Sequence, residues 1–320
     1  MKRLLIIGKR GGILHWYEDV LLAAGNDAAG FSLTHHNMLA RLAGHAMGKN
    51  HARVRKMIRD GLAQAIRQHR PELILIVDLF YLEPAINQLL IESGIATAQW
   101  IGDRFEDRLA RNSGIKDFYF TDTGLIPLAE HIGLSGRYLP LAATLPDRAL
   151  PAWETRSNEI LFIGAPSAGR VALIEQISHP ILVIGPGWPA LNNPAARTIN
   201  HRISIKKTRR LYAQHKFVLN IMNESNVVNG LPQRCFDATM HGACLLMNST
   251  PDTPLNFEEG KEIFTFRDPS DIARITHDDS AASAIATRGR ERSERAHTFR
   301  MRIAQIIAGS GTNVAEHSPS

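Results

Sequence analysis

The stretch NIMNESNVVNGLPQRCFDATMHGACLLMN, Asn220 to Asn248, decides the fold. It reads as the end of a strand, a polar loop, one short helix and a second strand, because Phe217 to Ile221 is an apolar run and Cys244 to Met247 is another. Short apolar runs joined through a helix are what a buried parallel sheet requires. Pro232 suits the first turn of the helix, where its missing N–H costs nothing, and Gly242 supplies the left-handed residue that ends it. Phe236 and Met240, four apart, form a face that packs on a sheet, whereas Arg234, Asp237 and His241 share the other side. A cation and a carboxylate then project together near a helix N-terminus, beside Gly230, where a ligand can approach the backbone closely. Arg234 and the helix N–H groups suit phosphates, and Asp237 suits a ribose diol or a sugar. The same pattern also reads as a solvated ion pair on a helix surface.

Working outward, the alternation of strand and helix extends over the whole chain. Upstream lie a strand at Glu159 to Ile163, a loop at Gly164 to Gly169, a helix at Arg170 to Ile177, a strand at Ile181 to Ile184 and a helix at Thr208 to His215. Downstream, Glu262 to Phe266 is a last strand. In the N-terminal half, Lys2 to Ile7 enters Gly-Lys-Arg-Gly-Gly, His15 to Ala24 and Ala52 to His69 have helical apolar spacing, and Pro71 stops the second of these. Leu73 to Val77, Ala96 to Ile101, Phe118 to Thr121 and Arg137 to Leu141 supply further strands, with a weak one near Phe31. Leu150 to Asn158 has no periodicity and reads as a linker. The predicted architecture is α/β: two Rossmann-like, doubly wound domains, 1–150 and 158–284, whose strand ends face a cleft. A basic amphipathic helix over 285–308 and a disordered tail over 309–320 complete it.

With 320 residues and 44% hydrophobic content, the chain can bury two cores. Its apolar runs are strand length, far below the roughly 20 residues that cross a bilayer. After Lys2 and Arg3 the apolar run ends at Gly8, shorter than the roughly 7 to 15 residues of a signal-peptide core, so a cytoplasmic location is expected. Cys235 and Cys244 are the only cysteines and lack metal-ligand spacing, which predicts packed, reduced thiols. Adjacent His35 and His36 point apart in ordinary backbone, so no metal site is expected. The net charge is +6, and Arg288 to Arg302 holds six Arg against two Glu. That local surplus argues against nucleic acid as a partner and leaves a peripheral membrane contact open.

Leu231-Pro-Gln-Arg234, Phe236-Asp237, His241-Gly242-Ala243, Glu259-Gly260-Lys-Glu262, Asp268-Pro269 and His297-Thr298-Phe299 with Arg302 together resemble the motifs of CgeB-like glycosyltransferases, a GT-B group named for a spore maturation protein. Trp100 with Asp103, Leu139-Pro140-Leu141-Ala142, Phe162-Ile163-Gly164 with Arg170, and Gly185 to Trp188 fall in that family's order. The resemblance spans roughly Leu73 to Arg302. It implies a metal-independent glycosyltransferase without a cofactor, taking a nucleotide-diphosphate sugar as donor. The acceptor would be a glycan, lipid, protein or small molecule. By that analogy the C-terminal domain binds the donor and the N-terminal domain presents the acceptor hydroxyl. Gly11, Gly12, Gly164, Arg170, Asn229, Gly230, Arg234 and Asp237 are the expected nucleotide-sugar contacts. Asp237 stands where the family has a Glu, and Asn229, eight positions earlier, stands where many GT-B enzymes have another, which it replaces without a charge.

Arg234 is expected to stabilise the leaving diphosphate, with Lys206, Lys207 and Arg170 in support. Asp103 and His15 are the candidate general bases, although His15 also reads as a helix start and Asp103 as a cap. His297 reads as a packed histidine. Two alternatives follow from the departures. A noncatalytic nucleotide-sugar or carbohydrate binder fits the replaced glutamates. A dinucleotide oxidoreductase fits less well, because Gly8-x-x-Gly11-Gly12 misses the Gly-x-Gly-x-x-Gly spacing.

Overall fold

A computed structural model describes residues 2–9, 16–33, 42, 46, 51–77, 81–222 and 227–310. The chain forms two compact units, residues 1–140 with 299–320, and residues 141–298. In the first, β1 (Leu4–Gly8), α1 (Trp16–Ala24), β2 (Ala28–Ser32), α2 (Ala52–His69), β3 (Leu73–Val77), α3 (Pro84–Ser93), β4 (Ala96–Ile101), β5 (Asp117–Phe120), α4 (Leu125–His131) and β6 (Gly136–Tyr138) follow in order. Their parallel sheet runs β2-β1-β3-β4-β5-β6. Every residue of β1 and β3 is buried, as expected of parallel strands covered on both faces.

The second unit comprises β7 (Ser157–Ile163), α5 (Ala168–Ile174), β8 (Ile181–Ile184), β9 (Ala196–Ile199), α6 (Ile205–Gln214), β10 (His215–Asn220), α7 (Gln233–Met240), β11 (Cys244–Met247), α8 (Thr253–Asn256), β12 (Phe264–Thr265), α9 (Pro269–His277) and α10 (Asp279–Ala296). Its parallel sheet has the order β12-β11-β10-β7-β8-β9. The direction of winding reverses between β7 and β10. At such a switch point the connections leave the strand ends in opposite directions and open a crevice there.

A final helix, α11 (Phe299–Gly309), returns the chain to the first unit. The expected single helix over 285–308 is therefore two, broken at His297 and Thr298. The carbonyl of His297 accepts from Ala143 N–H, Thr298 bridges to Ala143, and the His297 ring lies against Phe236 and Phe257 with its Nε2 2.9 Å from Asn256 O. His297 is thus a packed residue, as read from the sequence. Phe299 then turns edge-on to Trp100, and Arg302 donates from Nε to Pro140 O at 2.8 Å. Apolar spacing runs through both helices without a gap, so only the packing reveals the break.

Two further expectations change. The segment 150–158 is not a free linker: Trp153 packs edge-on to Phe217 and donates to Asp279, and Arg156 donates to Gly242 O and Pro151 O. The chain leaves the first unit at Pro140 instead, because Leu141, Ala142 and Ala143 are buried in the second. The arginines of the expected basic helix are also partly engaged rather than uniformly exposed. Arg302 is buried, Arg288 and Arg292 are tied to the carbonyls of Lys261 and Asn256, and Arg290 pairs with Glu294. Gly309 lies inside α11 and Ser310 caps back onto Ile306 O, whereas 311–320 lie outside the described residues.

Candidate functional site

The second unit places two guanidinium groups at its switch point, one from the element after β7 and one from the element after β10. Phe162, near the end of β7, is the floor between them: the Arg234 and Arg170 Cζ atoms lie 5.0 and 5.5 Å from its ring centroid. Both distances suit attraction of a cation to the ring face. Arg234, in the first turn of α7, donates to Asn220 Oδ1 at 2.8 Å and to Ile163 O at 2.6 Å. Arg170, in α5, donates to Ile221 O at 3.0 Å and to Ala165 O at 2.9 Å. These acceptors are neutral, so the hydrogen bonds aim each cation without themselves neutralising it. Burial, and then the charge of Arg234, pull the Arg170 guanidinium down to about 10, which still leaves it protonated at neutral pH. One buried and one half-buried cation, with no carboxylate partner among the described residues, form an arrangement whose charge suits an anion.

Glycine keeps the strand ends open to this pair. A Cβ on Gly164 would sit 3.2 Å from Arg234 Nη2, and one on Gly185 would meet Gly164 O at 2.1 Å. The indole of Trp188 donates to that same carbonyl at 2.8 Å and stands edge-on to Phe162. Gly187 takes φ 85°, a turn that favours glycine. Positive charge is concentrated nearby in sequence: residues 176–223 contain seven Lys or Arg and no Asp or Glu. Basicity is therefore not confined to 288–302. Within this stretch Arg197 pairs with Glu159 and Lys216 with Asp279, while Lys206 and Lys207 are exposed on α6.

Asp237 does not share a ligand-facing side with Arg234. It is 2% exposed, and its carboxylate lies 3.4 Å from Arg209 Nε of α6 and 3.3 Å from Gln233 Nε2. The reason is that α7 is buried nearly all round, with only Arg234 of its eight residues not fully enclosed. His241 is likewise enclosed, its Nδ1 2.8 Å from Asp237 O, and burial holds its pKa down at about 4, so it is neutral. Replacing Asp237 by alanine removes the buried carboxylate beside Arg209 and is expected to cost about 3 to 5 kcal/mol of stability, read as a lower melting midpoint without ligand. A solvent-facing ligand contact would melt unchanged. Asn229 is half-buried and its carbonyl accepts from Asp252 N–H, and Gly230 is buried next to it. Both follow the undescribed 223–226 in the β10–α7 connection. Cys235 and Cys244 are buried free thiols, Cys235 pushed up to about 12 by burial.

In the first unit, Asp103 follows β4. Burial raises its pKa. Gly102 beside it admits the Trp16 ring, which a Cβ would meet at 1.9 Å, and Trp16 packs on Trp100 at 5.3 Å. Gly11, Gly12 and His15, and the His35–His36 pair, lie outside the described residues. Phe162, Asn220 and Arg209 were missed by reading the sequence; a polar Asn220 closing the apolar run Phe217 to Leu219 was the available signal. A groove at the end of α8, lined by Phe257, Glu258, Glu259, Glu262 and Arg292, has the opposite polarity, and its carboxylates are held by Lys261, Ser249 and Arg292.

The architecture has clear counterparts. A glycosyltransferase from Rickettsia africae superposes with a TM-score of 0.64 at 10% identity, covering 98% of this chain and 99% of that one. Sucrose-phosphate synthase from Thermosynechococcus elongatus gives 0.63 at 10%, covering 97% and 99%, and HepE of Anabaena in complex with UDP gives 0.61 at 10%, covering 98% and 100%. The fold is GT-B. At this identity the likeness is one of fold alone. Residues 170–308 match a family model described as glycosyl transferase-like, which begins at Arg170 and includes Arg234. No curated protein matches the chain. No helix among the described residues of this GT-B chain is long and apolar enough to cross a membrane.

Proposed function

We propose that this chain is a glycosyltransferase that moves a sugar from a nucleotide-diphosphate sugar to an acceptor hydroxyl. The observation that carries the reading is the pair Arg170 and Arg234 on Phe162, set at the switch point of a GT-B domain and held by neutral acceptors. A HepE structure of the same fold holds UDP-glucose, which supports a nucleotide sugar as the donor class. In this reading the two guanidiniums, with Gly164 and Gly230 clearing the approach, take up the charge that develops on the leaving diphosphate as the glycosidic bond breaks. The acceptor hydroxyl loses its proton to Asp103, whose raised pKa suits a base. Metal independence, a CgeB-like subtype and action in the cytoplasm belong to the same proposal.

The test is a thermal-shift screen against UDP, GDP, CDP and dTDP and their common sugars, with NAD as control. A ligand that binds only the folded state raises the midpoint by a free energy RT ln(1 + [L]/Kd). A selective response to one diphosphate and its sugar is expected, followed by turnover of that sugar. A response to NAD alone rejects the proposal. One observation favours a second reading, a noncatalytic nucleotide-sugar binder: Asp237 is engaged by Arg209 and Gln233, and Asn229 carries no charge. Binding without transfer or hydrolysis would select it.

A further inference from the structure

Among the groups that hold the two guanidiniums, the carbonyls of Ile163, Ala165 and Ile221 are backbone and would be present in any sequence. Two side chains join them: the buried Tyr212 hydroxyl hydrogen-bonds Arg234, and Asn220 Oδ1 accepts from it, so that of the two the amide is the one that ends a strand of the sheet. It is 0% exposed and closes β10 after Phe217, Val218 and Leu219, a place where a leucine would bury more apolar surface. A buried amide is costly unless its polar atoms are used. Here Oδ1 accepts from Arg234 Nη1 at 2.8 Å, while Nδ2 finds the weak acceptor Met222 Sδ at 3.2 Å. A carboxylate of the same shape would also hold Arg234, but as an ion pair, and would supply internally the negative charge that the site offers to a ligand.

We infer that Asn220 is the positioning residue of the anion site, aiming Arg234 while leaving its charge available for a diphosphate. The inference rests on the donor-site reading above. It accounts for why, among the described residues, the oxygens that hold both cations are neutral: Arg170 is already disfavoured by burial and by Arg234, and a phosphate group relieves both penalties at once. The site is thereby matched to a ligand of at least two negative charges, which a diphosphate supplies both free and in the intact donor.

Asn220→Asp and Asn220→Ser test it, with inorganic pyrophosphate and the nucleoside diphosphate that responds in the screen as probes in calorimetric titrations. The aspartate is expected to lower affinity for both probes about 30- to 100-fold, while the ligand-free melting midpoint stays the same or rises. The serine keeps a neutral acceptor and is expected to lose less than about 10-fold. A structural role for the amide would weaken both variants alike, so equal losses, or an aspartate variant within twofold of the wild type, overturn the inference while leaving the donor reading intact. Should the aspartate variant not fold, Asn220→Leu removes the tether without adding charge; about a 10-fold loss supports the inference and unchanged affinity overturns it. Wild-type protein that binds pyrophosphate but no nucleoside diphosphate keeps the anion site and rejects the donor reading. Binding of neither rejects both.

Discussion

Replacing Arg234 by methionine is expected to lower affinity for the nucleoside diphosphate about 100-fold and kcat/KM for the donor by at least as much, the size seen when one partner of a buried charge contact is removed. The methionine preserves most of the stem over Phe162, so the loss falls on charge and hydrogen bonding and not on packing. Two effects add. The ligand loses a preorganised cation, and Arg170, freed of its like-charged neighbour, gains basicity without being able to span the gap. Arg234→Lys is expected to recover only part of the loss, because a point charge cannot serve Asn220 Oδ1, Ile163 O and a phosphate in the same fork geometry. Calorimetric titration of the three proteins decides the matter, and a methionine variant within threefold of the wild type removes Arg234 from the site.

Asp103→Asn carries the second large effect. A positioned base contributes about 10²- to 10⁴-fold, so kcat is expected to fall by that order while donor affinity, which the proposal assigns to the other unit, stays unchanged. The same substitution is expected to raise the melting midpoint at neutral pH. Burial lifts the carboxyl above its usual 3.8 in the folded chain only. The folded state therefore prefers the protonated form, and stability falls as pH rises from the unfolded value through the folded one. At neutral pH the folded state bears the cost of a buried charge, which an asparagine removes. Activity runs the opposite way: it rises with pH as Asp103 ionises, placing the acid limb of the rate profile above the ordinary aspartate range. A variant that loses stability, or keeps its kcat, sinks the assignment.

The outline of the second unit was legible because parallel strands covered on both faces must be continuously apolar, and Phe217 to Leu219 and Cys244 to Met247 are. Pro232 and Gly242 marked the ends of α7 for equally local reasons: a missing N–H is harmless at a helix start, and Gly242 takes φ 75°. Position along the chain was enough to put Arg170 and Arg234 at strand ends, since whatever follows a parallel strand emerges at its carboxyl edge.

Direction was not legible. Helical spacing groups Arg234 with Asp237, but periodicity does not say which neighbour covers each face. The structure turns Asp237 under α6 to Arg209 and leaves Arg234 at the crevice. In the same way, spacing carries an apolar stripe from Ile285 to Ile306 as one helix, and only the hydrogen bond from Ala143 to His297 O divides it between two units. The sequence by itself determined the alternation of strands and helices and the strand-end placement of the cations, because each depends on local geometry or composition. Tertiary structure alone decided that the cations share Phe162, that neutral oxygens hold them, and that Asp237 is enclosed, because these depend on contacts between residues as far apart as Ile163 and Arg234, whose meeting follows from the order of strands in the sheet.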